Sequence, residues 1–110
     1  MAGKFVLKQA RGGQFMFNLV AGNGRVVLTS ERYKSKASAV NGIKSVKKHA
    51  KAPKWFDRGK TKSGGVKFVL KASNGETIGR SQTYKGSSGC TGGIQSVARC
   101  APGGKIEDLT

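Results

Sequence analysis

Apolar and polar residues alternate along three short stretches of the first thirty positions, after which the spacing changes. In KFVLKQ (4–9), Phe5 and Leu7 fall on one side and Lys4, Val6 and Lys8 on the other, the two-residue period of a strand. Arg11-Gly12-Gly13 reads as a turn. Phe15, Phe17 and Leu19 then alternate with Met16, Asn18 and Val20. Ala-Gly-Asn-Gly at 21–24 carries the Asn-Gly signal of a hairpin, predicting a type I′ turn into the returning strand RVVLTS. After a short loop at 31–34, Ser35 is placed to cap a helix through about Ala50. Its buried stripe is Ala39, Ile43, Val46 and Ala50, with Lys36, Lys44, Lys47, Lys48 and Lys51 largely elsewhere. Lysines in the last turn suit the helix dipole, and Pro53 ends the unit.

The same order returns 51 positions later without a gap. Phe5 falls on Phe56, Phe17 on Phe68, Leu19 on Leu70, Asn23-Gly24 on Asn74-Gly75, Tyr33-Lys34 on Tyr84-Lys85, and Gly42-Ile43 on Gly93-Ile94. A fixed period of this kind marks a duplicated supersecondary unit. The boundaries expected are about 3–53 and 54–104, with a closing strand at about 105–109 that sits one further period beyond Lys54-Trp55-Phe56-Asp57. The second helix, GSSGCTGGIQSVARCA, keeps a stripe of Cys90, Ile94, Val97 and Ala101 but holds Gly89, Gly92 and Gly93 inside it. Each interior glycine costs about 0.5–1 kcal/mol relative to alanine, so this helix is expected to be the weaker one.

The pattern predicts an α+β domain in which two repeats share one antiparallel sheet with both helices on one face. Units of about fifty residues are marginal alone, so a single core is expected. Its expected members are Phe5, Leu7, Phe15, Phe17, Leu19, Ile43, Val46, Phe56, Phe68, Leu70, Ile94 and Val97, with Tyr33 and Tyr84 anchoring the strand-to-helix loops.

The segment FNLVAGNGRVVLTSERYKSKASAVNGIKSV, its weaker echo NGETIGRSQTYKGSSGCTGGIQSVARCA and the closing IEDLT resemble the YegP-like family of small bacterial proteins of uncharacterised function. The resemblance covers nearly the whole chain. It implies two β3-α-β repeats that form one sheet and exchange their last strands, and it brings no catalytic residues with it. The chain departs from that family's pattern in its charge and in its glycine-rich second helix.

Charge sharpens the functional question. Lysine and arginine number 21 against 5 acidic residues, a net charge of +16, spread over both repeats rather than gathered in a tail. Such an excess favours polyanions. The expected phosphate contacts are Lys44, Lys47, Lys48 and Lys51 on the first helix, and Lys4, Lys8, Lys67 and Lys71 on the open face of the sheet. They would bind nucleic acid without reading sequence. The bland alternative is that lysines merely solvate a surface. A sheet that stacks bases needs exposed aromatic rings, yet the phenylalanines fall on the side the helices should cover. The open face offers Val6, Met16, Asn18, Val20 and Val69 instead, a surface on which a second copy or another protein could dock.

Other chemistry finds little support. Gly22-Asn23-Gly24 joins two strands rather than a strand and a helix, and Gly59-Lys60-Thr61 has Lys54 where a P-loop needs glycine. Cys90 and Cys100 would lie roughly 15 Å apart along one helix, too far for a disulfide. Cys90 is expected in the core, while Cys100 and the only histidine, His49, are expected at matching surface positions. One histidine and two cysteines make no convincing metal set, and His49 has no expected partner for nucleophilic or acid–base work. The expectation is therefore a non-enzymatic binding module without cofactor or metal. The absence of a signal-like or membrane-length apolar run and the two free thiols point to the cytoplasm.

Overall fold

The architecture follows from how the strand after each helix is used. A computed structural model describes residues 3–110. The first repeat supplies β1 (Lys4–Gln9), β2 (Phe15–Val20), β3 (Val26–Ser30) and α1 (Lys36–His49). The second supplies β4 (Phe56–Lys60), β5 (Val66–Lys71), β6 (Thr77–Arg80) and α2 (Ser87–Cys100), and β7 (Lys105–Asp108) closes the chain. All seven strands form one sheet in the order β4-β5-β6-β3-β2-β1-β7. The strand following α1 thus lies at one edge, against β5 of the second repeat. The strand following α2 returns to the opposite edge, beside β1 of the first. The exchange expected from the family resemblance is present. One pairing departs from the expected antiparallel sheet: β7 runs parallel to β1, with Lys4 opposite Lys105 and Leu7 opposite Asp108. A crossover through a helix makes parallel pairing accessible, whereas a tight hairpin forces the antiparallel one.

The repeats match in detail. Ser30 Oγ accepts from the Phe17 N–H and donates to the Glu31 carbonyl, and Ser81 Oγ makes the same two bonds with Phe68 and Gln82. Asn23 Oδ1 accepts from the Arg25 N–H, as Asn74 Oδ1 does from that of Glu76. The hairpins form where Asn-Gly predicts them, but not as type I′ turns. Within each Asn-Gly pair only the glycine, Gly24 or Gly75, takes positive φ, at 85° and 86°, and each donates its N–H to the carbonyl three residues back. A β-bulge follows at matching places, between Leu19 and Val20 and between Leu70 and Lys71. It gives each returning strand an extra residue, Val27 or Ile78, which is buried in the core. Strict alternation could not have placed these two there.

One hydrophobic cluster spans both repeats, holding Phe5, Phe17, Leu19, Ile43 and Val46 together with Phe68, Leu70, Cys90 and Val97. Phe15, Phe56 and Ile94, expected at the centre, are only partly buried and pack on its margin. In each half a tyrosine ties sheet to helix. Tyr33 stacks on Phe17 with centroids 6.3 Å apart and planes 10° from parallel, and Tyr84 stacks on Phe68 at 6.3 Å and 8°. Each hydroxyl rests against a helical glycine, Gly42 or Gly93, where a Cβ would collide with the phenol. These two glycines serve close approach rather than flexibility. The helices differ at their starts. Ser35 accepts from the Ser38 N–H, while Gly86 offers α2 no side-chain cap.

Two outcomes follow. Gly93→Ala should destabilise the protein by about 1–3 kcal/mol through overpacking against Tyr84. Gly92→Ala, exposed with open space around it, should stabilise by about 0.5–1 kcal/mol, and urea unfolding of both variants checks the difference in sign. The closing strand is pinned to α1 by Asp108, whose bonds to Lys36 and Thr110 lower its carboxyl to about 2 from an ordinary 3.8. A depressed carboxyl adds stability above its unfolded value and loses it as pH falls. The Tm advantage of wild type over Asp108→Asn should be full above 3.8 and close as pH approaches 2, measured by thermal melts across that range.

Candidate functional site

Most of the few carboxylates are already engaged, which divides the lysines into two groups. Glu107 lies 3.2 Å from Lys4, Asp57 lies 3.4 Å from Lys71, and Asp108 pairs with Lys36. Both oxygens of Glu31 accept from Arg80 Nη2, at 3.0 and 2.8 Å. These pairs are solvent-exposed and each adds little stability. Their effect is to neutralise part of the open sheet face, so that Lys4 and Lys71, expected as phosphate contacts, each have a carboxylate partner. Lys8 and Lys67 on that face, Lys44, Lys47 and Lys48 on α1, and Lys51 in the turn after it have none among the described residues. On the same face Val6, Met16, Val20 and Val69 are half-buried. Asn18 is 8% exposed rather than open to solvent, its amide donating to Thr29 Oγ1. Glu76 lies near Tyr33, whose phenol is raised first by burial and then by the charges of Glu31 and Glu76.

Lys44, Lys48 and Lys51 recur at the spacing of one helical face and are exposed. Like charges four residues apart on a helix repel by a few tenths of a kcal/mol, so this ridge is held against a local cost that the helix dipole partly offsets. Lys47 bends inward, its ammonium 5.7 Å from the centre of the Phe5 ring. Beyond the helix, a turn of 3₁₀ helix at Pro53–Trp55 precedes β4, so Trp55 lies just before the strand it was expected to begin. Lys54 Nζ sits 4.8 Å from the centre of the Trp55 ring. Beside the ring is a pocket of about 260 Å³ lined by Lys54, Trp55, Phe56, Asp57, Lys71 and the hairpin residues Ala72, Ser73 and Gly75. Periodicity assigns Trp55 no functional role, although the lone tryptophan follows directly on Lys54, just beyond a lysine-rich helix.

Two surface expectations are corrected. His49 is 6% exposed and fully partnered. Its Nε2 accepts from the Ser73 N–H at 3.1 Å, so the proton is on Nδ1, which donates to the Ser45 carbonyl at 2.8 Å. Its ring meets Trp55 edge-on, with centroids 5.4 Å apart. The imidazole is a strut between α1 and the second repeat's hairpin rather than a free base. Cys100 is likewise buried, at 5% exposure. Helical periodicity put both residues at the margin of the stripe, and the other repeat's hairpin covers that margin. Among the described residues no three His, Cys, Asp or Glu side chains gather as metal ligands, and no helix is long and apolar enough to cross a membrane.

Comparison with known proteins fits this two-fold construction. A model of the domain of unknown function DUF1508 matches twice, over residues 10–57 and 62–108. The chain belongs to the DUF1508 family. Each match takes in two hairpin strands, a helix and residues of the strand that follows it, so the family unit includes the exchanged strand. A UPF0339 protein of Bordetella pertussis is 51% identical over 110 residues, covering 100% of this chain and 98% of that protein. A UPF0339 protein of Pseudomonas aeruginosa is 46% identical over 108 residues, 98% of each. The solution NMR structure of yegP from E. coli, a protein of unknown function, superimposes with a TM-score of 0.94 at 39% identity over 100% of this chain and 95% of that one. The UPF0339 protein of Shewanella oneidensis gives 0.93 at 39% identity, over 100% of this chain and 93% of that one. The two solved structures share this fold over the whole length of the chain.

Replacing His49 tests its structural role. His49→Ala should cost about 2 kcal/mol, from the lost ring and the freed Ser73 amide. It should also shift Trp55 emission as that ring loses its neighbour, and urea unfolding followed by tryptophan fluorescence reads both effects.

Proposed function

We propose that this protein is a non-enzymatic binding module for single-stranded nucleic acid, holding phosphates without reading base sequence. The observation that carries this reading is the place of Trp55. The chain's one tryptophan lines a pocket at the end of a helix whose exposed lysines have no carboxylate partners among the described residues. Single strands are bound by a cationic track beside an aromatic ring on which a base can stack, and stacking tolerates any sequence. Lys44, Lys48 and Lys51 provide the track, Lys54 and Trp55 its end. The open sheet face is the poorer candidate, because it lacks aromatics and its Lys4 is paired with Glu107, while the Lys71–Asp57 pair lies at the wall of the Trp55 pocket itself. Of the eight lysines expected from the charge pattern, the interface keeps Lys44, Lys48 and Lys51, and it gains Lys54 and Trp55.

The test is titration of Trp55 fluorescence, and of labelled-DNA anisotropy, with a short mixed-sequence DNA strand over a range of salt. Four phosphate contacts predict a slope of log K against log salt of about −3, and Lys44→Gln/Lys48→Gln/Lys51→Gln should reduce it by about 2. Unchanged fluorescence and anisotropy at low salt, or a triple variant that binds as wild type does, would overturn the proposal.

A further inference from the structure

The two repeats place different side chains at one matched position, and the larger of the two hairpin pockets lies beside the smaller side chain. On one side of the molecule, His49 reaches from α1 to the turn of the second hairpin and accepts the Ser73 N–H. The 51-residue period carries His49 to Cys100, Ser45 to Ser96, Lys48 to Arg99 and Ser73 to Gly22. At this second place α2 faces the turn of the first hairpin. The cysteine side chain is a single sulfur beyond Cβ and has nothing like the reach of an imidazole. The Gly22 N–H accordingly has no acceptor among the described residues, while its neighbours Ala21 and Gly24 keep the turn bonds of their counterparts Ala72 and Gly75. A pocket of about 430 Å³ lies there, lined by Ala21, Gly22, Asn23, Ser96, Arg99 and Cys100.

From this contrast we infer that the groove between α2 and the first hairpin is a binding site for a small oxyanion, a carboxylate or a phosphate group on a small molecule. An oxygen of the ligand takes the Gly22 N–H, as the His49 nitrogen takes that of Ser73. Arg99 meets its charge, and the Ser96 hydroxyl is a further donor. Three features favour an anion over a neutral or cationic guest. The residue supplied in the other half is a hydrogen-bond acceptor, and the exposed Gly22 N–H is free to be met by an acceptor on a ligand in place of water. Arg99 is the only charged residue in the lining and pairs with no carboxylate among the described residues. Arginine is also the side chain best shaped to grip carboxylate or phosphate with two parallel bonds. The volume lies within the usual range for small-ligand sites. The site is on α2, remote in sequence from the α1 lysines and Trp55, and does not depend on the nucleic-acid reading.

The test uses the whole protein and two probes, inorganic phosphate and acetate, titrated in separate ¹H–¹⁵N NMR experiments with chloride holding ionic strength constant. With at least one probe, the Gly22 amide and the Arg99 side-chain Nε–H should move together and saturate, while Ser73, whose N–H is already bonded to His49, should not. Arg99→Gln should weaken the response about tenfold, the worth of one charge-assisted bond. Cys100→His should abolish it by supplying the missing imidazole, and Arg11→Gln, an equal charge change at the far end of the β1–β2 pair, should leave it unchanged. A Gly22 amide that fails to saturate with either probe, or an Arg99→Gln protein that binds as wild type does, overturns the assignment. So does undiminished binding in Cys100→His.

Discussion

Two copies of one unit can share a core only if their central strands meet closely, and at that seam they cannot be alike. β3 and β6 pair through Thr29 with Arg80 and Ser30 with Gly79. Leu28 and Gly79 are one period apart and face each other across the junction. A Cβ on Gly79 would come within 3.1 Å of Leu28 Cγ and 2.8 Å of the Thr29 carbonyl oxygen. The second copy therefore forgoes a side chain there, and the leucine of the first fills the space with 1% exposure. With the seam closed, α1 packs on β1 and β2 of its own repeat and on β5 and β6 of the other, and α2 packs on β5 as well as on β2 and β3. The continuous cluster from Phe17 to Phe68 depends on that closeness.

Around the seam, the copies keep what holds the sheet to the helices and differ in what faces solvent. The serine bonds to Phe17 and Phe68, the tyrosine stacks and the glycines beneath the tyrosines occur in both. Charge and capping do not. α1 has a serine cap and a lysine ridge, while α2 begins on an uncapped glycine and carries one basic residue, Arg99. The capped helix thus bears the repelling charges, and the uncapped, glycine-rich one bears Arg99. Divergence after duplication is widest at the surface, with Leu28 against Gly79 and His49 against Cys100 as buried exceptions.

Much of the fold is legible in the chain because alternation, the Asn-Gly pairs and the exact period all agree. Phe5, Phe17, Phe68 and Val97 are buried where their spacing places them, and Ser35 caps α1 as its position suggests. What could not be read required knowledge of the partner surface. His49 and Cys100 sit at the margin of their helical stripes, and distant segments cover them: the second hairpin and Trp55 for His49, the first hairpin and Gly3 for Cys100. Val27 and Ile78 enter the core through bulges that no two-residue period encodes. The parallel pairing of β7 reflects the path of a crossover, not any residue of Lys105–Asp108. Of the candidate interface, the α1 lysines were apparent from composition and spacing, but the pairing of Lys4 and Lys71 with carboxylates depends on cross-strand register. The pocket beside Trp55 arises from the same long-range geometry, since its walls come from α1's exit and the β5–β6 turn.

The return of β7 to the edge beside β1 limits how far this architecture can grow. Solenoids of stacked repeats lengthen because every unit offers its successor a fresh docking surface. Here the strand after the last helix goes back to the first repeat, so the head of the chain is occupied by its own tail. A third copy inserted by duplication would have to displace β7 before it could join the sheet. The molecule is a closed pair, its copy number set by topology.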